Sequence, residues 1–72
     1  MTVGEKIKYY RSKKNLDVKE LSQRSGISAD AIRKYEQGQR KPKYEQLQKL
    51  ATGLQISLNN FLDLEILSQS DL

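Results

Sequence analysis

The stretch "SADAIRKYEQ", residues 28 to 37, sets Asp30, Arg33, Lys34 and Gln37 at the i, i+3, i+4, i+7 spacing of one helical face. Ser28 and Ala29 stand at the N-terminal tip of that face. A carboxylate, a guanidinium, an ammonium and a carboxamide in this register form a row of hydrogen-bond donors and acceptors. Such a row can pair with base edges and phosphates. Ile32 and Tyr35 point the other way with Ile27, and Ala31 is small enough for the seam. A helix that buries so narrow a face is built to meet a partner with the other; a solvated helix surface is the alternative for the stripe considered by itself.

Covalent chemistry is poorly provided for. Cysteine and histidine are both absent, which removes thiol nucleophiles, disulfides, most zinc sites and the usual neutral-pH proton shuttle. Serine, lysine and tyrosine are present, but no constellation sets a nucleophile beside a base, and no glycine-rich phosphate loop occurs. An enzyme is therefore not expected, nor a cofactor or a metal. All 13 Lys and Arg lie in residues 1–50 with six acids, whereas residues 51–72 hold three acids and no base. Positive charge concentrated on one part of a chain favours a polyanion as partner for that part.

The elements that must position these groups read as short helices. At 72 residues the chain makes one domain with a single small core. No window approaches the roughly 20 apolar residues of a membrane span, and the N-terminus "MTVGEKIKYYRSKK" lacks the apolar run of a signal peptide, so a cytoplasmic protein without a membrane partner is expected. Apolar residues recur at intervals of three and four, which predicts an all-α fold. Val3, Ile7 and Tyr10 stripe a first helix ending near Lys14 and Asn15. Asp17 with Glu20 makes a capping box for a second, and Leu16 can staple onto Leu21. Ser28 with the Ile27 and Ile32 pair marks a third start, and Ser57 with Ile56 and Phe61 marks another. A further helix begins around Pro42 and Lys43, carrying Tyr44, Leu47, Leu50, Ala51 and Leu54 on one face. Only ten residues separate the caps at Asp17 and Ser28, so the second helix must stop near Ser25 with Gly26 in a left-handed turn. Two short helices joined so tightly cross steeply, as a helix-turn-helix over about residues 17–37, with Ser22 small enough for a close approach.

The segments "IKYYRSKKNLDVKELSQRSGIS", "IRKYEQGQRKP" and "LQKLATGLQISLNNFL" resemble the lambda-repressor and Cro-like helix-turn-helix regulators, the xenobiotic-response-element family. The resemblance covers roughly residues 4–62 and includes Tyr35, Glu36, Gly38 and Pro42 in the family's spacing. It implies a compact five-helix bundle whose third helix enters the DNA major groove. Base-edge contacts would then fall on Ser28, Ala29, Asp30, Arg33 and Lys34, and phosphate contacts on Gln37, Arg40, Lys41, Lys43 and Tyr44. Arg11 and Glu36 match positions that form an internal ion pair in some relatives, although Arg11 could also serve DNA. Val18 stands where many members place a phosphate-anchoring glutamine, which leaves that contact to the helix N-terminus or to Lys19. Asp30 could accept from a cytosine amino group or complement its own helix dipole.

The expectation is a transcriptional repressor binding double-stranded DNA as a homodimer on a palindromic operator. One helix reads about four base pairs, so two half-sites about 34 Å apart are needed. Leu62, Leu64, Ile66 and Leu67 exceed what the core needs and are the natural dimer contact. The alternative is a protein-interaction module, such as an antitoxin or an adaptor, whose apolar acidic tail docks on a protein partner.

Overall fold

Side chains close the first turns of three of the four helices in the computed structural model, which describes residues 1–62. Helix α1 spans Val3–Lys13, α2 Val18–Ser25, α3 Ala29–Glu36 and α4 Tyr44–Leu54, followed by a 3-10 turn at Leu58–Phe61. Asp17 caps α2 in a reciprocal box, its carboxylate accepting from Glu20 N–H at 2.7 Å while Glu20 accepts from Asp17 N–H at 3.0 Å. Thr2 and Glu5 build the same box on α1. Those bonds from Thr2 hold the Glu5 carboxyl below its ordinary pKa. Ser28 gives α3 only half of the arrangement, because Ala31 and not an acid occupies the third position of the helix.

The α2–α3 junction is a tight turn. Gly26 adopts φ 77°, and its N–H donates to Ser22 O at 2.9 Å. A residue with a Cβ would be strained there, and the glycine ends α2 so that Ser28 can open α3 two residues later. Ser22 is half-buried, and a second small residue of α2, Ser25, is buried against Gly53 of α4 and lets those two helices approach closely.

One core unites the elements. Ile7, Leu21, Ile32 and Leu50 are fully enclosed, joined by Leu16, Ile27, Tyr35, Leu47, Ala51, Leu54 and Phe61. Val3, Tyr10, Ala31, Ile56 and Leu58 pack against its edge. Tyr44 departs from the expected apolar face of α4: as the first residue of that helix it lies beyond the core and is 60% exposed.

Two expectations about helix ends are corrected. Four α-helices, not five, are present among the described residues, because the segment after Ser57 forms a four-residue 3-10 turn. Ser57 accepts from Asn59 N–H, two residues on, and Leu62 already has an extended backbone at ψ 144°. Both features favour a tight turn over an α-helical start. Tyr10 fastens this turn to α1, donating to Asn60 Oδ1 at 3.1 Å and meeting the Phe61 ring edge to face. The second correction concerns α4, which begins at Tyr44 with Lys43 as its cap. Pro42 therefore sits before the cap, not within the first turn. Lys43 has no side-chain acceptor to offer, and the first N–H groups of α4 have no side-chain cap.

No helix among the described residues is long and apolar enough to cross a membrane. Leu64, Ile66 and Leu67 lie outside the described residues, and Leu62 is half-buried.

Candidate nucleic-acid interface

Helix α3 is anchored from behind. Ile32 and Tyr35 sit in the core, and α1 approaches so closely that Gly4 lies against the Tyr35 carbonyl. The C-terminal end of α3 is clamped by charge: Arg11 Nε donates to Glu36 Oε2 at 2.8 Å, and Nη2 donates to Oε1 at 3.1 Å. The third arm of the guanidinium donates to the Leu16 carbonyl at 2.9 Å. One side chain thus ties α1, the loop before α2 and α3 together. The two side chains are 16% and 9% exposed, so solvent screens the pair weakly. Hydrogen bonding to Glu36 raises the Arg11 pKa above its ordinary value, against the opposing effect of burial.

The opposite face of α3 is open. Asp30, Arg33 and Gln37 are exposed, and Lys34 is half-buried. Lys34 Nζ lies 3.1 Å from Asp30 Oδ2, an ion pair one turn apart whose acid-before-base order suits the helix dipole. Ser28 is exposed, with its Oγ already accepting from Ala31 N–H at 3.1 Å, so its hydroxyl proton is the group left to offer. Ala29 is half-buried beside it.

Past the end of α3 the cations gather. Arg40, Lys41 and Lys43 are exposed and border a shallow depression of about 330 Å³ with Tyr35 and Gln46. Tyr44 stands exposed at the head of α4, next to the uncapped N–H groups. Lys19 is exposed near the N-terminus of α2. The fold also brings Lys6 of α1 into a groove of about 510 Å³ with Arg40 and Lys41, a neighbour that no sequence spacing announces across more than thirty residues.

A helix-turn-helix family model matches residues 7–61, most of the chain and all of the α2–α3 unit. The chain belongs to the Cro/C1-type helix-turn-helix family. Members of this xenobiotic-response-element family are DNA-binding transcription regulators. The restriction-modification controller protein C.AhdI from Aeromonas hydrophila is similar in structure, with a TM-score of 0.80 and 28% sequence identity over 83% of this chain and 91% of that one. No curated protein shows a significant sequence match.

Within this Cro/C1-type frame, two further features of the surface were not anticipated. The Asp30–Lys34 pair was available in the sequence as an acid four residues before a base on an exposed face. The open N-terminus of α4 was masked by Pro42, which reads as a helix start when only the local sequence is considered.

Proposed function

We propose that the chain is a sequence-specific repressor of transcription that binds double-stranded DNA as a homodimer, each subunit placing α3 in the major groove of one half of a palindromic operator. The observation that carries this reading is the outward row of Asp30, Arg33, Lys34 and Gln37 on a helix whose back is locked into the core. Ser28, Ala29, Asp30, Arg33 and Lys34 would meet base edges. Lys19, Gln37, Arg40, Lys41, Lys43 and Tyr44 would meet phosphates, with the uncapped N–H groups of α4 adding donors. Lys6 extends the same positive rim. Arg11 serves as a structural clamp, since each nitrogen of its guanidinium already donates to Glu36 or to the Leu16 carbonyl and holds the side chain against the fold. The protein acts by occupying its site and catalyses no reaction. Likeness to a restriction-modification controller supports a regulatory role for so short a chain.

Two copies are required because one helix covers too few base pairs for useful specificity. Leu62 and, beyond the described residues, Leu64, Ile66 and Leu67 would supply the contact.

Selection of bound sequences from a random duplex pool tests the reading. A palindrome with half-sites about one turn apart is expected, and it should be lost in the double variant Arg33→Ala, Lys34→Ala. Sedimentation should show a dimer that dissociates when Ile66 and Leu67 are changed to Asp. Weak binding without sequence preference, or a monomeric mass at high micromolar concentration, would refute the proposal.

A further inference from the structure

We propose that Asp30 and Lys34 read one base pair in each half-site as a single unit, ranking G·C first, T·A second, and A·T and C·G last, the base facing Lys34 being written first. This rests on α3 being the helix that enters the major groove. It adds which base pair the ion pair selects and why.

The two groups stand ready-made. Lys34 Nζ lies 3.1 Å from Asp30 Oδ2, the side chains are 41% and 75% exposed, and the helix beneath them is fixed by Ile32 and Tyr35. A base pair presents a matching couple at the centre of its major-groove edge. In G·C this is the O6 acceptor beside the N4 amino donor; in T·A it is the O4 acceptor beside the N6 amino donor. Each couple is joined by a Watson–Crick hydrogen bond, so its two atoms are about 2.9 Å apart. An ammonium and a carboxylate at nearly the same separation offer the opposite polarity. Lys34 donates to the keto oxygen, Asp30 accepts from the amino group, and the ion pair closes a ring of hydrogen bonds.

Reversing the base pair sets the ammonium against an amino group and the carboxylate against a keto oxygen. Both contacts are then repulsive, and each group has lost water without gaining a partner. The pair therefore rejects A·T and C·G. Choice between the two accepted pairs falls to the neighbouring atom. Guanine adds N7 beside O6, a second acceptor for the ammonium, whereas thymine adds its C5 methyl group, which offers none. An unpaired lysine could reach acceptors on either strand by changing rotamer. Asp30 biases that choice by favouring the rotamers that hold the ammonium on one side.

The full chain is used to select its preferred site, and affinity is then measured on duplexes carrying each of the four base pairs at every position. One position in each half-site should follow the stated order, with G·C favoured over the rejected pairs by about fivefold to 150-fold. Asp30→Asn replaces an obligate acceptor by a carboxamide that can donate or accept. It should bring the preference for G·C over C·G at that position below about threefold while other positions keep theirs. Lys34→Met should erase the preference for G·C over T·A at the same position. Neither side chain is part of the core, and thermal unfolding followed by circular dichroism checks that the variants fold. A preferred site whose ranking is untouched by Asp30→Asn, or a variant that weakens every sequence equally, overturns the paired readout and leaves the regulator intact. A chain that selects no sequence overturns both.

Discussion

Arg11 and Glu36 are 25 positions apart in sequence and 2.8 Å apart in the fold. Three donors of one guanidinium are used at once, two on a carboxylate and one on a carbonyl. Charged hydrogen bonds of this kind contribute more than neutral ones when solvent is largely excluded. Glu36→Gln keeps the shape and removes the charge. It should lower the unfolding free energy by about 1–2 kcal/mol in urea titration; a change within error would show that the clamp is ornamental. The pH dependence has a definite sign. Because folding raises the Arg11 pKa, its contribution is complete below the ordinary arginine value and is lost only as pH rises past the raised one. Alkaline titration through the lysine range should leave the clamp in place.

Among the elements, α1 and α3 are joined by a contact that admits no side chain. A Cβ on Gly4 would lie 3.1 Å from the Tyr35 carbonyl carbon and 3.2 Å from Glu36 Cα, with the carbonyl oxygen nearer still. All three are backbone atoms of a helix fixed at both ends of its buried face, so they cannot move aside cheaply. In an open helix, replacing glycine by alanine stabilises by about 1 kcal/mol. Here Gly4→Ala should instead destabilise by about 2 kcal/mol, since overpacking outweighs propensity. Equilibrium unfolding measures the sign directly, and a stabilised variant would mean that α1 and α3 are less tightly opposed than the structure has them. The same contact sets the pitch of the reading face, because α3 carries its exposed row on the side opposite Gly4.

Across the whole molecule, charge is distributed unevenly. Thirteen bases and six acids lie in residues 1–50, and residues 51–72 carry three acids alone. The fold gathers Arg40, Lys41 and Lys43 around one depression and brings Lys6 beside the first two. Neutralised phosphates release counterions, so the logarithm of affinity should fall linearly with the logarithm of salt concentration. Changing any one of Arg40, Lys41 or Lys43 to Gln should reduce that slope by about 1, with base preferences retained. A slope unaltered by all three would place the phosphates elsewhere on the surface.

Local physics made several parts readable before any fold was known. Asp17 and Glu20, and Ser28, announce helix starts because a cap satisfies N–H groups within its own first turn, with no help from distant residues. Thr2 and Glu5 carry the same T-x-x-E signal. The outward row on α3 followed from helical period alone, since Ile32 and Tyr35 define which side is buried. Where the last helix begins and how the chain turns after Ser57 were not readable in this way. Pro42 and Ser57 are compatible with more than one local backbone, and the extended conformations at Lys43 and Leu62 select among them. Close approach at Gly4 and Gly53 and the lysine of α1 beside the α3–α4 loop join residues distant in sequence, as does the clamp from Arg11 to Glu36, which the family resemblance anticipated and local pattern did not. Such contacts depend on how helices cross, and crossing is decided by the shape of the packed core, which exists only once every element is in place.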